Sequence, residues 1–341
     1  DKQAIADTCR ISGEPEDSEY IPSDPRDFTI RIFHTCYMGT ENSSEETRQR
    51  AKQSSEAIGG YHVDLNMDSV VIAVQHLFGL VMGTQPQFHA HGGTADENLA
   101  LQNIQARFRL QMVLAYMFTQ LLPWVWGKVV GLLVLSGANI NENLQGYLTK
   151  YDCSSADINF IGGISKTDLK KFIVYAEDAF ALPILARHSF FLNAVPTAEL
   201  EPIIETYVQA DEANMRKTYN ELSVFGRLRK IEKCGPYSTF TKLVQEWGSF
   251  LSPLQIVEKV KLFFFKHAHD RHKMLTPSYH AMSSFRWKVK CRSRTAWMIT
   301  VRFELRPFLY PSRFPWQFKK IDEIATVPPH RSYSSAEPKQ D

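Results

Sequence analysis

An alternation of short strand-like and longer helix-like segments through the first half of the chain narrows the fold more than any other feature. Phe28–Thr35 (FTIRIFHT) places apolar residues at every second position, the period of a half-buried strand. Asn42–Ile58 opens with side chains that cap helix N-termini and continues with helix formers. Tyr61–Leu65 reads as a second strand, Asp68–Val81 as a helix and Asp96–Leu122 as a long helix. Gly131–Ser136 reads as a buried strand with helical character soon after. Strands alternating with helices predict parallel strands joined by helical crossovers, a doubly wound α/β sheet whose ligands gather at the carboxyl ends of the strands. After Lys166 the pattern turns helical, with helices predicted over Lys166–Phe180, Thr218–Arg227, Ser238–Trp247 and Pro253–Phe265. No internal repeat or long Gly/Ser linker divides the chain. One domain over residues 1–323 with a helical C-terminal half is therefore expected, and a polar, Pro/Ser-rich, disordered tail over 324–341.

Composition excludes several classes. With 44% hydrophobic and 22% charged residues the chain has the balance of a globular protein, not of a disordered or fibrous one. Its 39 basic and 37 acidic side chains leave a formal charge of +2, too even for nucleic acid as the main partner. Leu110–Leu135 is apolar, but Gln111, Gln120, Pro123, Gly127 and Lys128 interrupt it below the ~20 residues that span a bilayer. It predicts a buried helix ending near Pro123, a turn and the buried strand, with no membrane partner. Five scattered cysteines without a CxxC pair argue against a disulfide framework or structural zinc and for a reducing, cytoplasmic setting. The first residues carry neither an apolar signal core nor a basic transit character, so no targeting segment is read there. The histidines of HAHGG (His89, His91) and HAHDRH (His267, His269, His272) have spacings that do not share a helix face, so no histidine metal site is expected.

The chemistry concentrates in Gly146–Lys166, GYLTKYDCSSADINFIGGISK, and the residues just before it. Glu142, Lys150, Asp157 and Lys166 are separated there by small polar residues and glycines, a composition suited to close approach by a polar ligand. Gly162 and Gly163 lead into a helix start capped by Ser165, where free backbone N–H groups can bind phosphate.

These residues closely resemble the signature of the synthetase domain of glutamine-dependent NAD synthetases. So do TENSSEETRQRAK (Thr40–Lys52), ENLALQNIQARFR (Glu97–Arg109), PTAELEP (Pro196–Pro202) and ELSVFGRLRKIEKCGPYS (Glu221–Ser238). RPFLYPSRFPWQFKKID (Arg306–Asp322) is similar to the end of the fungal members. The resemblance implies a Rossmann-like parallel sheet of the adenine nucleotide alpha hydrolase-like (ATP pyrophosphatase) type. It also implies a reaction: ATP and magnesium adenylate the nicotinate carboxylate of deamido-NAD, and ammonia attacks the acyl-adenylate to give NAD. By position, it assigns magnesium to Glu142, ATP to Lys166, Thr197 and Gly137, and deamido-NAD to Arg107, Lys150, Asp157, His272 and Lys273. It further implies a homo-oligomer.

Departures from the family's pattern are equally specific. The ATP pyrophosphate loop, SGGxDS, and the glutaminase domain are not found within these 341 residues, so little or no turnover is expected of them alone. Ser136-Gly137 stands where the family has Gly-Ser, Asn141 where aspartate is usual, Phe160 where proline is usual, and Arg216-Lys217 where Gly-Met or similar is found. Leu110-Gln111 add two residues to the Arg107 helix, which would turn everything beyond by roughly 200° if kept helical. A basic insertion at about 283–301, including Arg286, Lys288, Lys290, Arg292 and Arg294, reads as translated intron or drift. The alternative to catalysis is a non-catalytic dinucleotide-binding or oligomer-assembly module.

Overall fold

The computed structural model describes residues 2–15, 18–110, 113–128, 131–151, 153–180, 191–202, 210–274, 279–280, 311 and 313–326. After helix α1 (Lys2–Ser12), the segment expected to be a strand opens as helix α2 (Pro25–Ile32). The correction has a local cause: the Asp24 side chain accepts the Arg26 N–H at 2.7 Å and Pro25 sits in the first turn, where its fixed φ suits a helix. Strand β1 begins only at His34 and runs to Gly39. Helix α3 (Glu45–Ile58) starts at its Ser44 cap, carries Glu45 and Glu46 at the positive end of the helix dipole, and stops at Gly59. Gly59 has φ 77°, and a Cβ there would lie 2.8 Å from Arg26 Cβ, so the position requires glycine. Strand β2 (Tyr61–Asn66) then lies parallel to β1, in register from His34 opposite Tyr61 to Gly39 opposite Asn66.

Helices α4 (Asp68–Met82), α5 (Ala95–Leu110) and α6 (Val113–Val125) follow. Both α5 and α6 fall within the helix expected over Asp96–Leu122, on either side of residues 111–112, which lie outside the described residues. The apolar segment around Pro123 is buried only in part, at Leu114 and Pro123. Val113, Met117, Leu121, Trp124 and Val125 are all exposed, as are Ile72, Leu77, Leu80, Val81 and Met82 of α4. No helix among the described residues is long and apolar enough to cross a membrane.

The strand expected over Gly131–Ser136 is reduced to a single parallel bridge, Leu135 to Ile158. Ser136 N–H donates to Ile158 C=O at 2.8 Å, but the Val134 N–H is taken by the Asp157 carboxylate at 2.9 Å, and Leu133 and Leu135 stay exposed. A side chain substituting for a ladder partner ends the ladder. Beyond it come α7 (Ile140–Gln145), the two-residue β3 (Ile158–Asn159) and α8 (Lys166–Ala179). Then follow α9 (Asp211–Met215), α10 (Tyr219–Gly226), α11 (Pro236–Trp247), α12 (Pro253–His269), β4 (Tyr279–His280) and α13 (Phe314–Thr326). β3 pairs in parallel with β4, so the described strands form two separate two-stranded ladders within a mostly helical chain. Helix α13 includes the first residues of the expected tail; residues 327–341 and the 283–301 insertion lie outside the described part.

The largest core belongs to the helical half. Phe225 of α10 stacks on Phe263 of α12 with centroids 4.5 Å apart, and Leu222, Leu243, Ile256, Val260 and Ile321 close around them. The Ser252/Gln255 capping box with Pro253 fixes where α12 begins. Near this core sits Lys217, 2% exposed, whose ammonium has no hydrogen-bond partner and whose pKa is pushed down to about 7 by burial and the charges of Lys259 and Lys266, opposed by Glu221.

Two stability changes follow. Phe225→Ala is expected to cost about 3–5 kcal/mol in denaturant unfolding through the cavity it leaves. Because Lys217 is a weaker base in the folded chain than in the unfolded one, the unfolded state holds more protons between about pH 7 and 10, so its cost to stability is greatest below pH 7 and fades above. Lys217→Met should therefore stabilise by about 3–4 kcal/mol at pH 6 and only about 1 kcal/mol at pH 9.5. Melting curves at the two pH values check this, and an equal gain at both would contradict it.

Candidate functional site

Glu142 lies in the first turn of α7, held by a reciprocal cap. The Asn139 side chain accepts the N–H groups of Asn141 (3.0 Å) and Glu142 (3.1 Å), while Glu142 Oε2 accepts the Asn139 N–H at 3.2 Å. Asn139 Nδ2 donates to Glu142 Oε1, so one residue orients both carboxylate oxygens. Lys166, first residue of α8, brings its ammonium to 4.0 Å from Glu142 Oε1 and lies 5.5 Å above the Tyr219 ring. Its backbone N–H donates to Asn141 Oδ1 at 2.9 Å.

Asn141 is 1% exposed and ties three helices together: besides accepting from Lys166, its Nδ2 donates to Ser223 Oγ at 3.1 Å and Tyr219 C=O at 3.4 Å. An aspartate could not make the two donations. The departure at this position is thus the junction on which Glu142 and Lys166 meet.

A second carboxylate completes the cluster. Asp211, at the start of α9, accepts the Tyr219 hydroxyl at 3.1 Å and the Tyr147 hydroxyl at 3.2 Å. Burial raises the pKa of both Glu142 and Asp211; the Lys166 charge and their hydrogen bonds pull the other way. Burial and the same carboxylates raise the Tyr147 and Tyr219 phenols, which therefore stay protonated. A partly buried and a buried carboxylate thus share one nearby ammonium. Neither Asp211 nor the tyrosines were picked out as site residues in the sequence, although Tyr147 lies within GYLTKYD and Tyr219 within TYNELS.

The other expected residues are distributed as follows. Lys273 donates to Gly146 C=O at 3.1 Å, at the far end of α7, and lies 3.3 Å from Asp270. Gly146 has φ 69° and no room for a Cβ, which would lie 2.3 Å from Asp270 Cβ. Thr197 donates to Glu199 at 3.3 Å and bridges Ala210, next to Asp211. Glu199, also missed, holds that loop to the α3 N-terminus by accepting from Ser44 Oγ (2.6 Å), Thr47 Oγ1 (2.7 Å) and the Ser44 N–H (3.1 Å). Asp157 is engaged elsewhere, by the Val134 N–H and, at 3.0 Å, the Tyr116 hydroxyl. The Lys150 ammonium lies 5.0 Å from the Tyr151 ring, and Gly137 is exposed with open space where a Cβ would go. Ser165 caps α8 as expected, accepting the Asp168 N–H at 3.0 Å. The side chains of Arg107 and His272 lie outside the described part of the structure. His267 is a core residue, bonded through Nδ1 to Leu144 C=O at 3.0 Å and stacked on Phe263. Among the described residues no group of three or more His, Cys, Asp or Glu could hold a metal ion by itself.

Comparison with known proteins bears on this arrangement. The chain is 57% identical over 327 residues to the glutamine-dependent NAD(+) synthetase of Saccharomyces cerevisiae and 52% identical over 324 residues to that of Homo sapiens. These alignments cover 95% and 94% of this chain and 43% of each relative, so the chain spans less than half the length of the proteins it matches. A crystal structure of a glutamine-dependent NAD(+) synthetase from Cytophaga hutchinsonii shares its fold, with a TM-score of 0.60 at 19% identity over 87% of this chain and 42% of that one. The family model described as NAD synthase matches residues 28–235, more than half of the sequence, and the chain therefore belongs to the NAD synthase family.

Proposed function

We propose that this chain is the synthetase portion of a glutamine-dependent NAD synthetase, acting in the ATP- and magnesium-dependent amidation of deamido-NAD to NAD. The observation that carries the reading is the meeting of the partly buried Glu142 and Lys166 with the buried Asp211 in one cluster at the N-terminal ends of α7 and α8. A free carboxylate is a poor acyl donor, so the nicotinate carboxylate must first take AMP as leaving group, with pyrophosphate departing; ammonia then displaces AMP. Lys166, with Thr197 and Gly137, is assigned to ATP, its ammonium countering phosphate charge. Arg107, Lys150, Asp157, His272 and Lys273 are assigned to deamido-NAD.

The donor set fits magnesium. Glu142 offers hard carboxylate oxygens and is undercompensated by Lys166, and so few protein ligands suit an ion that keeps waters and substrate phosphates around it. When bound, magnesium neutralises charge on the phosphates. A reducing, cytoplasmic setting is proposed from the scattered cysteines without a CxxC pair.

A second reading rests on a separate observation. The exposed apolar residues of α4 and α6 support self-association, as a homo-oligomer or as a non-catalytic assembly module. Light scattering of the purified chain distinguishes a monomer from an oligomer.

The functional test is calorimetric titration of the chain with ATP plus magnesium and, separately, with deamido-NAD, beside an assay of NAD formation with ammonium. Binding of both ligands is expected, with turnover low in these residues because the SGGxDS loop is not among them. Lys166→Ala should weaken ATP binding roughly 10- to 100-fold while leaving deamido-NAD binding nearly unchanged. Failure of the chain to bind either ligand would overturn the assignment, and dinucleotide binding with no ATP binding would favour the non-catalytic module.

A further inference from the structure

Tyr219 presents an unequal contest. Its hydroxyl lies 3.1 Å from Asp211 Oδ2 and 3.3 Å from Glu142 Oε1, and a phenol has one proton to give. Both carboxylates are acceptors, so whichever receives that proton determines how much electron density the other offers. Asp211 is built to receive it. It is 8% exposed, and its second oxygen accepts from Tyr147, whose own oxygen accepts from Asn214 at 3.3 Å. This chain of donors fixes Asp211 between two phenols. Glu142 already accepts from Asn139 on both oxygens and faces the Lys166 ammonium.

We propose, on the reading of Glu142 as the magnesium carboxylate, that Asp211 is a positioning residue which draws the Tyr219 hydroxyl proton away from Glu142, so that at Oε1 a divalent cation competes with the Asn139 amide alone and not also with a phenol. A hydrogen bond donated to a ligand carboxylate competes with the metal for the same lone pair, whereas a neighbouring acceptor that captures the donor removes the competition. Groups behind metal ligands commonly change affinity about 10- to 100-fold when removed. Asp211 stands in that relation to Glu142, one phenol away and not itself in contact with it through any described hydrogen bond.

Manganese(II) binding, read from the loss of the free-ion electron paramagnetic resonance signal on titrating the chain, tests this without turnover. Glu142→Ala establishes the site: if it binds Mn(II) as wild type does, the assignment of Glu142 fails and this inference goes with it. Given a Glu142-dependent site, Asp211→Ala should weaken binding about tenfold by redirecting Tyr219 onto Glu142. The double variant Asp211→Ala/Tyr219→Phe, which has no phenolic proton to redirect, should recover most of that loss. A purely structural role for Asp211 predicts no recovery. Tyr219→Phe alone serves if Asp211→Ala does not fold: binding within about twofold of wild type supports the proposal, and a several-fold tightening overturns it by showing that the phenol donates to Glu142. Wild-type affinity in Asp211→Ala, or a double variant no better than the single one, also overturns it.

Discussion

The Asn139 cap on Glu142 is the contact from which the rest of the site takes its position. A carboxylate in the first turn of a short helix would ordinarily rotate toward solvent; here the Asn139 backbone N–H and side-chain amide occupy its two oxygens and hold it inward. Because α7 is only six residues long, it cannot sustain itself as an isolated helix and depends on what it touches. Asn141 joins it to α8 and α10, His267 holds its C-terminal side through Leu144, and Lys273 reaches the carbonyl of its terminal glycine. Glu142, Lys166 and Lys273 are therefore placed by one small element braced from several sides.

That bracing connects two unequal halves of the molecule. The helical half has a continuous core centred on Phe225, Phe263 and Phe264, aromatic side chains that are fully buried and in contact. The βαβ half has only small clusters, such as Met38, Met67 and Leu114, and leaves apolar side chains of α4 and α6 in solvent. Leu144 of α7 belongs to the large core, so the site is anchored on the helical side while Thr197 and Glu199 tie it to α3 on the other. Buried polar groups at such a junction are costly unless paired, which explains why Asp211, Tyr147, Tyr219 and Asn141 satisfy one another.

Much of the local structure was legible because local chemistry specifies it. The caps at Ser44, Ser165 and Thr218 and the capping box at Ser252 lie at the predicted helix starts or within two residues of them. Where local signals conflicted, the sequence misled: alternating apolar residues in Phe28–Thr35 suggested a strand, but Asp24-Pro25 upstream started a helix. The Gly131–Ser136 strand failed for a different reason. Its apolar content was suitable, but a strand needs partners along its length, and the Asp157 carboxylate takes the Val134 amide. Burial of the Leu110–Leu135 segment was inferred from hydrophobicity, which measures the preference of a side chain and not whether another element covers it.

The sequence by itself determined the family, through long ordered motifs, and the identity of the charged residues around α7. It determined helix starts, because a cap is decided by residues a few positions apart. Only the tertiary structure decided which of those charges share a site: Glu142 and Lys166 are 24 positions apart, yet meet because Asn141 bonds the first turn of α8. It alone revealed Asp211, whose two phenol partners come from α10 and from the turn after α7. Long-range pairing of this kind depends on how helices pack in space, and one-dimensional patterns of polarity do not carry that information.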